Sequence, residues 1–156
     1  MRKRSKYRPK GVIYDTMNHV LSGMKIVGSI GAGTTLKIKN HDALDNIRKG
    51  VGTRADIDVL IGAFNITEAL ALKAALGDEW KDEIRAAQDA LLELGRRGAE
   101  TGKFILRGPE LTTFNTAMEV HDAQLDACTV SELERAIDYV NAIITAKQAR
   151  IIVKKD

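Results

Sequence analysis

A glycine-rich segment near residue 30 is the part of the chain that most suggests ligand chemistry. Its outer glycines have the spacing of a phosphate-binding loop, and hydroxyl side chains follow. The lysine that reaches the phosphates in such loops is replaced by Thr34. Residues 35–39 alternate in polarity, so we predict an extended segment and no helix N-terminus facing an anion. We prefer a hairpin turn here and keep nucleotide or small-ligand binding as an alternative. The residues of that alternative are Gly28, Gly31, Gly33, Thr34 and Thr35.

The three histidines do not form a recognisable metal pattern. Helical di-iron sites use Glu-x-x-His pairs, but the residues three positions before the histidines are Thr16, Ile38 and Met118. His121 belongs to an otherwise apolar stripe and is the candidate for ligand contact or general-base chemistry. A buried, hydrogen-bonded histidine is the preferred interpretation.

The sequence gives no support for catalysis. Cys128 is the single cysteine, which excludes an internal disulfide and a zinc site built on several cysteines. It follows a helix seam, where a cysteine usually serves as a small apolar side chain. The chain also has no G-x-S-x-G motif. We therefore expect a protein without enzymatic activity, cofactor or metal.

Positive charge is concentrated at the N-terminus. The chain has 24 Lys+Arg and 21 Asp+Glu, and six of the bases lie in residues 1–10, which have no acid. The remaining 146 residues are therefore net −3. We predict a disordered basic arm that binds phosphates or an acidic partner. A solubilising role, or docking on the acidic body or a sister subunit, is an alternative. The candidate binding residues of the arm are Arg2, Lys3, Arg4, Lys6, Tyr7, Arg8 and Lys10.

Apolar residues at steps of three and four predict helices over most of the body. We expect a mainly all-α fold, an antiparallel helical bundle in one domain over residues 11–156, with a small β-hairpin insertion. The capping pattern Thr129-Val130-Ser131-Glu132 is the clearest helix start. The predicted elements are a helix over 12–22, the hairpin over about 25–39, helices over about 40–50 and 53–76, a helix from 78 that ends near Gly98 or Gly102, helices over about 109–128 and 129–150, and a frayed end or short strand over 151–156.

Residues 43–64 also resemble a helix-turn-helix unit, with Gly50-Val51-Gly52 as its turn. Arg54 would then contact DNA at the start of the second helix. Asp56 and Asp58 in the same turn of helix argue against docking on phosphates. A DNA-binding regulator is therefore an alternative function.

Several segments resemble small, mostly uncharacterised proteins of bacteriophages and prophages of proteobacteria. They are LKIKNHDALDNI, TRADIDVLIGAFNITEAL, GRRGAETGKFIL and AMEVHDAQLDACTV, and a basic start like RKRSKYRPK precedes them in those proteins too. The resemblance implies a phage product that binds a host protein or nucleic acid, as a host-takeover or anti-defence factor. We expect a cytoplasmic protein that can form homo-oligomers and has no membrane contact, because no apolar run approaches about 18 residues.

Overall fold

The computed structural model describes residues 11–15 and 32–153, with side chains from Thr35 onward in the second range. The predicted arm, most of the predicted first helix and residues 25–31 of the predicted hairpin lie outside these ranges. The elements are strand β1 (Ile13–Tyr14), helices α1 (Ala32–Arg48) and α2 (Arg54–Lys73), a 3-10 turn (Asp78–Trp80), helices α3 (Lys81–Thr101), α4 (Gly108–Ala127) and α5 (Val130–Thr145), and strand β2 (Arg150–Ile151). The predicted mainly all-α bundle is confirmed.

Helix α2 is the centre of the bundle and packs against all four other helices. Every residue from Leu60 to Ala71 is buried. The sequence predicts this position, because the helix has two apolar stripes and so needs neighbours on more than one side.

Two apolar clusters fill the space around α2. In the first, Phe64 of α2 meets Phe114 of α4 at a ring-centroid distance of 5.5 Å and an interplanar angle of 57°. The second joins the other side of α2, around Leu70, to the amphipathic face of α5, around Val140. Together they explain why α2 is buried from Leu60 to Ala71.

Local capping chemistry sets several helix ends where the sequence predicts them. The Thr53 amide donates to Asp56 Oδ2 at 2.8 Å. At α5, the Thr129 amide donates to Glu132 Oε1 at 2.9 Å, and the Glu132 amide donates to Thr129 Oγ1 at 3.1 Å. Helix α3 ends at Gly102, which has a φ of +76°. Such caps depend on residues three or four positions apart, so they can be predicted from the sequence.

The predicted hairpin is wrong over residues 32–39, which belong to α1. The helix also continues through Asn40, which is buried within it and does not cap a new helix. The alternation from Thr35 to Lys39 is too short to outweigh a longer helical pattern. The buried positions of α1 recur at steps of three and four, at Leu36, Asn40, Ala43, Leu44 and Ile47.

The predicted first helix is wrong at its start, because residues 13–14 form β1. This strand pairs in parallel with β2, with Ile13 opposite Arg150 and Tyr14 opposite Ile151. Val12 and Ile13 are both fully buried. Burial of consecutive residues is typical of a strand covered on both faces, and the apolar spacing in the sequence did not distinguish this from a helical stripe. The short-strand alternative for residues 151–156 is confirmed at Ile151.

Within residues 11–15 and 32–153, no helix combines the length and apolar character needed to cross a bilayer.

Candidate functional site

Gly11 directly follows the basic arm in the sequence and is held by the body. Gly11 has a φ of +62°, and a Cβ built on it would lie 1.9 Å from Glu68 Oε2 and 2.9 Å from Arg85 Nε. Its carbonyl oxygen accepts a hydrogen bond from Arg150 Nη2 at 3.0 Å. Only glycine fits this position, because both the backbone angle and the space exclude a side chain. The arm candidates themselves, at positions 2–10, lie outside the described ranges.

Residues 11–15, which we call the strap, are bonded to the body by a side-chain amide. Asn65 of α2 accepts from the Ile13 amide at 3.0 Å and donates to the Ile13 carbonyl at 2.8 Å. The other edge of the strap pairs with β2. The Asn65 amide thus takes the place of a neighbouring strand and satisfies two buried backbone groups.

Arg54 is bonded to the strap. Its Nε donates to Asp15 Oδ2 at 2.7 Å, and the Asp15 side chain is 2% exposed. Hydrogen bonding to Asp15 raises the pKa of the Arg54 guanidinium. Arg54 therefore has a structural role, since a buried carboxylate requires a charged partner. Its contact with DNA stays a prediction.

The burial of the second helix also bears on the predicted helix-turn-helix unit. The second helix of such a unit must leave one face open to enter a DNA groove. Here that helix is α2, and because it is buried from Leu60 to Ala71, only its ends have exposed residues. The geometry therefore favours an ordinary helix–helix corner at residues 49–53.

In the glycine-rich segment, the described part begins at Ala32. Gly28 and Gly31 lie outside it, and Gly33, Thr34 and Thr35 belong to the first turn of α1. The expectation that an extended segment follows the glycines is wrong, because α1 begins inside the motif. Thr35 is exposed, so this helix start lies at the surface.

His121 lies inside the bundle, 1% exposed, on the α4 face near α1. Desolvation by burial lowers its pKa to about 4, against opposing contributions from Gln124 and Asp122. The neighbouring surface contacts between α1 and α4 are an ion pair of Lys37 with Asp126, and His41 Nε2 at 2.7 Å from Asp122 Oδ2. His121 is thus buried and neutral near pH 7. Its burial agrees with the interpretation preferred from sequence, but its Nδ1 has no hydrogen-bond partner among the described residues.

Cys128 is half-buried, and burial raises the pKa of its thiol. A thiol with a raised pKa is a weak nucleophile at neutral pH. In the ranges for which side chains are described, no group of three or more His, Cys, Asp and Glu residues is placed to hold a metal ion.

A groove between the end of α2 and the start of α3 was not found from the sequence. It has a volume of about 250 Å³, and its lining includes Leu72, Asp78, Asp82 and Ile84. Leu72 is 51% exposed, and Trp80, which lies between lining residues of the 3-10 turn and α3, is 43% exposed. Glu68 and Arg85, two of the three side chains nearest to a Cβ built on Gly11, line the same groove, and the third, Gln88, is not among its lining residues. We call it the α2–α3 groove.

The residues that hold the strap were also missed. Asn65 and Gln88 are polar residues at fully buried helix positions, and such residues require internal partners. That signal indicates that a partner exists but not which segment provides it.

Comparison of the chain with family models, with curated proteins and with solved structures gave no match.

Proposed function

We propose that this protein is a non-enzymatic binding protein, encoded by a bacteriophage or prophage, that acts in the host cytoplasm by occupying a host protein or nucleic acid. One observation carries the proposal: the strap anchors the basic arm to a folded body. Val12 and Ile13 have no exposed surface, and Asn65 and Arg150 bond the backbone around them. Six positive charges therefore start from one defined point. The phage origin rests on the sequence resemblance.

Such an arrangement suits recognition in two steps. A dense positive charge attracts a phosphate backbone or an acidic protein surface over roughly the Debye length, about 8 Å at physiological salt. The exposed Trp80 and Leu72 then offer apolar contact area of a kind enriched at protein interfaces. The arm would increase the rate of association with the target, and the body would determine which target is bound.

An affinity experiment on host lysate tests the proposal. The wild-type protein is compared with a variant whose six arm bases are changed to Gln, and gel filtration reports the assembly state. We expect a discrete host component on the wild type and weaker retention on the arm variant. A matched control removes the same charge from exposed positions of the body: Lys39, Lys49, Lys103, Arg107, Arg135 and Lys147 to Gln.

This control separates a specific role of the arm from an effect of net charge. Equal losses in both variants would show that only total charge matters. A monomeric protein that retains nothing from the lysate would contradict the proposal itself.

A salt titration with duplex DNA decides between nucleic acid and protein as the target. If all six arm bases contact phosphates, log K should fall with log salt concentration with a slope of about −5. The arm variant should then show a slope near zero. A slope near zero for the wild type would indicate that the target is an acidic protein and not a nucleic acid.

Nucleotide binding is a second candidate, because α1 begins inside the glycine-rich segment and so brings a helix start to it. Thermal unfolding with phosphate-bearing ligands tests this. A ligand at 100 times its Kd should add about 2.7 kcal/mol of stability. An unchanged melting temperature with every such ligand would remove this candidate.

A further inference from the structure

The α2–α3 groove combines an apolar floor with a charged rim. Leu72 and Ile84 contribute apolar surface, and Asp78 and Asp82 lie at the rim with Lys81. Leu72, Asp78 and Asp82 are exposed. An apolar groove with a charged rim is suited to an extended peptide that has complementary charge.

The rim is acidic beyond the lining residues. Residues 78–83 read DEWKDE, with four acids and one base. Glu68 adds a carboxylate at the end of the groove nearest the strap, where it pairs with Arg85 at 3.7 Å. The groove therefore favours a positively charged occupant.

The basic arm is covalently joined to the wall of this groove. A Cβ built on Gly11 would lie 1.9 Å from Glu68 Oε2 and 2.9 Å from Arg85 Nε, and both residues line the groove. Ten residues can extend over at most about 33–36 Å, so residues 1–10 are long enough to cover the groove from Gly11. No other segment with six bases in ten residues occurs in the chain.

We propose that the α2–α3 groove is the intramolecular docking site of residues 1–10. This segment joins the body at Gly11, near Glu68 and Arg85 of the groove, and its positive charge is complementary to the acidic rim. Docking would hold the arm against its own body when no polyanion is present. A polyanion would have to displace it, so the contact would act as an autoinhibitory brake on the binding function proposed above.

Trp80 provides a reporter, since it is the only tryptophan and directly precedes the lining residue Lys81 in the chain. Its emission is measured for the full chain and for a variant lacking residues 2–10, at low salt and at high salt. We expect the two proteins to differ at low salt and to converge at high salt, because exposed charge pairs are screened. This readout needs no partner, so it tests the docking even if the proposed function fails.

A charge-matched pair of variants tests the brake. Asp78→Asn with Asp82→Asn weakens the rim at exposed positions, and Glu119→Gln with Glu134→Gln removes the same charge from exposed faces of α4 and α5. The probe is a fluorescent single-stranded oligonucleotide. We expect the rim variant to bind about three- to tenfold more tightly than the matched variant, as two exposed ion pairs permit.

Two results would overturn the proposal: identical Trp80 emission with and without residues 2–10 at low salt, or equal oligonucleotide affinity in the matched pair. A Trp80 difference that grows with protein concentration, together with a dimer on gel filtration, would instead assign the groove to the arm of a second copy and would reject docking within one chain. If either variant fails to fold, its cooperative unfolding transition is lost. The Trp80 emission experiment, which does not use these variants, then tests the docking.

Discussion

Acidification should destabilise this protein through His121. The side chain is 1% exposed, and burial lowers its pKa to about 4. In the unfolded chain an ordinary histidine has a pKa of about 6.5. Between these two values the unfolded state binds more protons than the folded state, so stability falls as the pH decreases through that window.

The size of the effect follows from the two pKa values. Each unit of difference corresponds to about 1.4 kcal/mol, so the full loss from His121 is on the order of 3 kcal/mol. Most of this loss of stability is reached by about pH 4.5. Well above about pH 6.5 the histidine is neutral in both states and causes no loss. Against a total stability of about 5–15 kcal/mol, the loss is large enough to measure.

Urea unfolding at about pH 7 and at about pH 4.5 measures the effect when the wild type is compared with His121→Leu. Leucine suits the apolar stripe of α4 and cannot be protonated. Carboxylates also titrate in this range, and they do so in both proteins, so the difference between the proteins isolates His121. We expect the leucine variant to lose roughly 2–3 kcal/mol less than the wild type.

The groups that face His121 define the control. Lys37 and His41 lie on α1, and Asp122 and Gln124 lie on α4. His41 is exposed and contacts Asp122. His41→Gln, which removes this exposed imidazole and keeps the buried one, is the matched control. If His121→Leu loses as much stability on acidification as the wild type, the buried neutral histidine is not the acid-sensitive group and the reasoning is refuted.

Three substitutions test the strap and a cap, each read as a change in the free energy of unfolding by urea. Asn65→Leu leaves the amide and carbonyl of Ile13 without their buried partner, and we expect a loss of roughly 2–4 kcal/mol; a loss below about 0.5 kcal/mol would contradict the pairing. Gly11→Ala places a methyl group against the Glu68 carboxylate at a positive φ and should cost at least roughly 1–2 kcal/mol. An unchanged unfolding midpoint would show that the strap is not fixed there. Thr129→Ala removes the α5 cap and should cost about 1 kcal/mol, and no change would mean that the cap is dispensable.

The parts of the fold that could be predicted from sequence depend on near neighbours in the chain. Thr129 and Glu132 are three residues apart, and their reciprocal bonds form as their types predict. The two apolar stripes of α2 likewise placed this helix at the centre. These features need no knowledge of which distant segments meet.

The strap could not be predicted because its partners are remote. Ile13 bonds Asn65, 52 residues away, and Gly11 bonds Arg150, 139 residues away. The apolar residues of the strap fit a helical stripe as well as they fit a buried strand. Only the pairing with β2 and the Asn65 amide selects the extended form.

The contacts of the candidate site also join residues that are remote in sequence. The sequence predicts Arg54 to be an exposed base at a helix start. Its hydrogen bond to Asp15, which is remote in sequence, joins it to the strap. The α2–α3 groove depends on the turn between two helices and on the strap reaching its wall. The wrong prediction for residues 32–39 arose from five alternating residues, which are too few to overrule a helical pattern that continues to Ile47.

Anchoring of the strap limits where the arm can act. The strap is bonded by groups on α2, by Arg150 and by strand pairing, so the starting point of the arm cannot shift without breaking buried contacts. Ten residues span at most about 33–36 Å when fully extended. Any partner held by the arm is therefore kept within that distance of Gly11, beside the α2–α3 groove and Trp80. A partner too large to approach this corner would gain only the electrostatic part of the affinity, and that part is the one that salt removes.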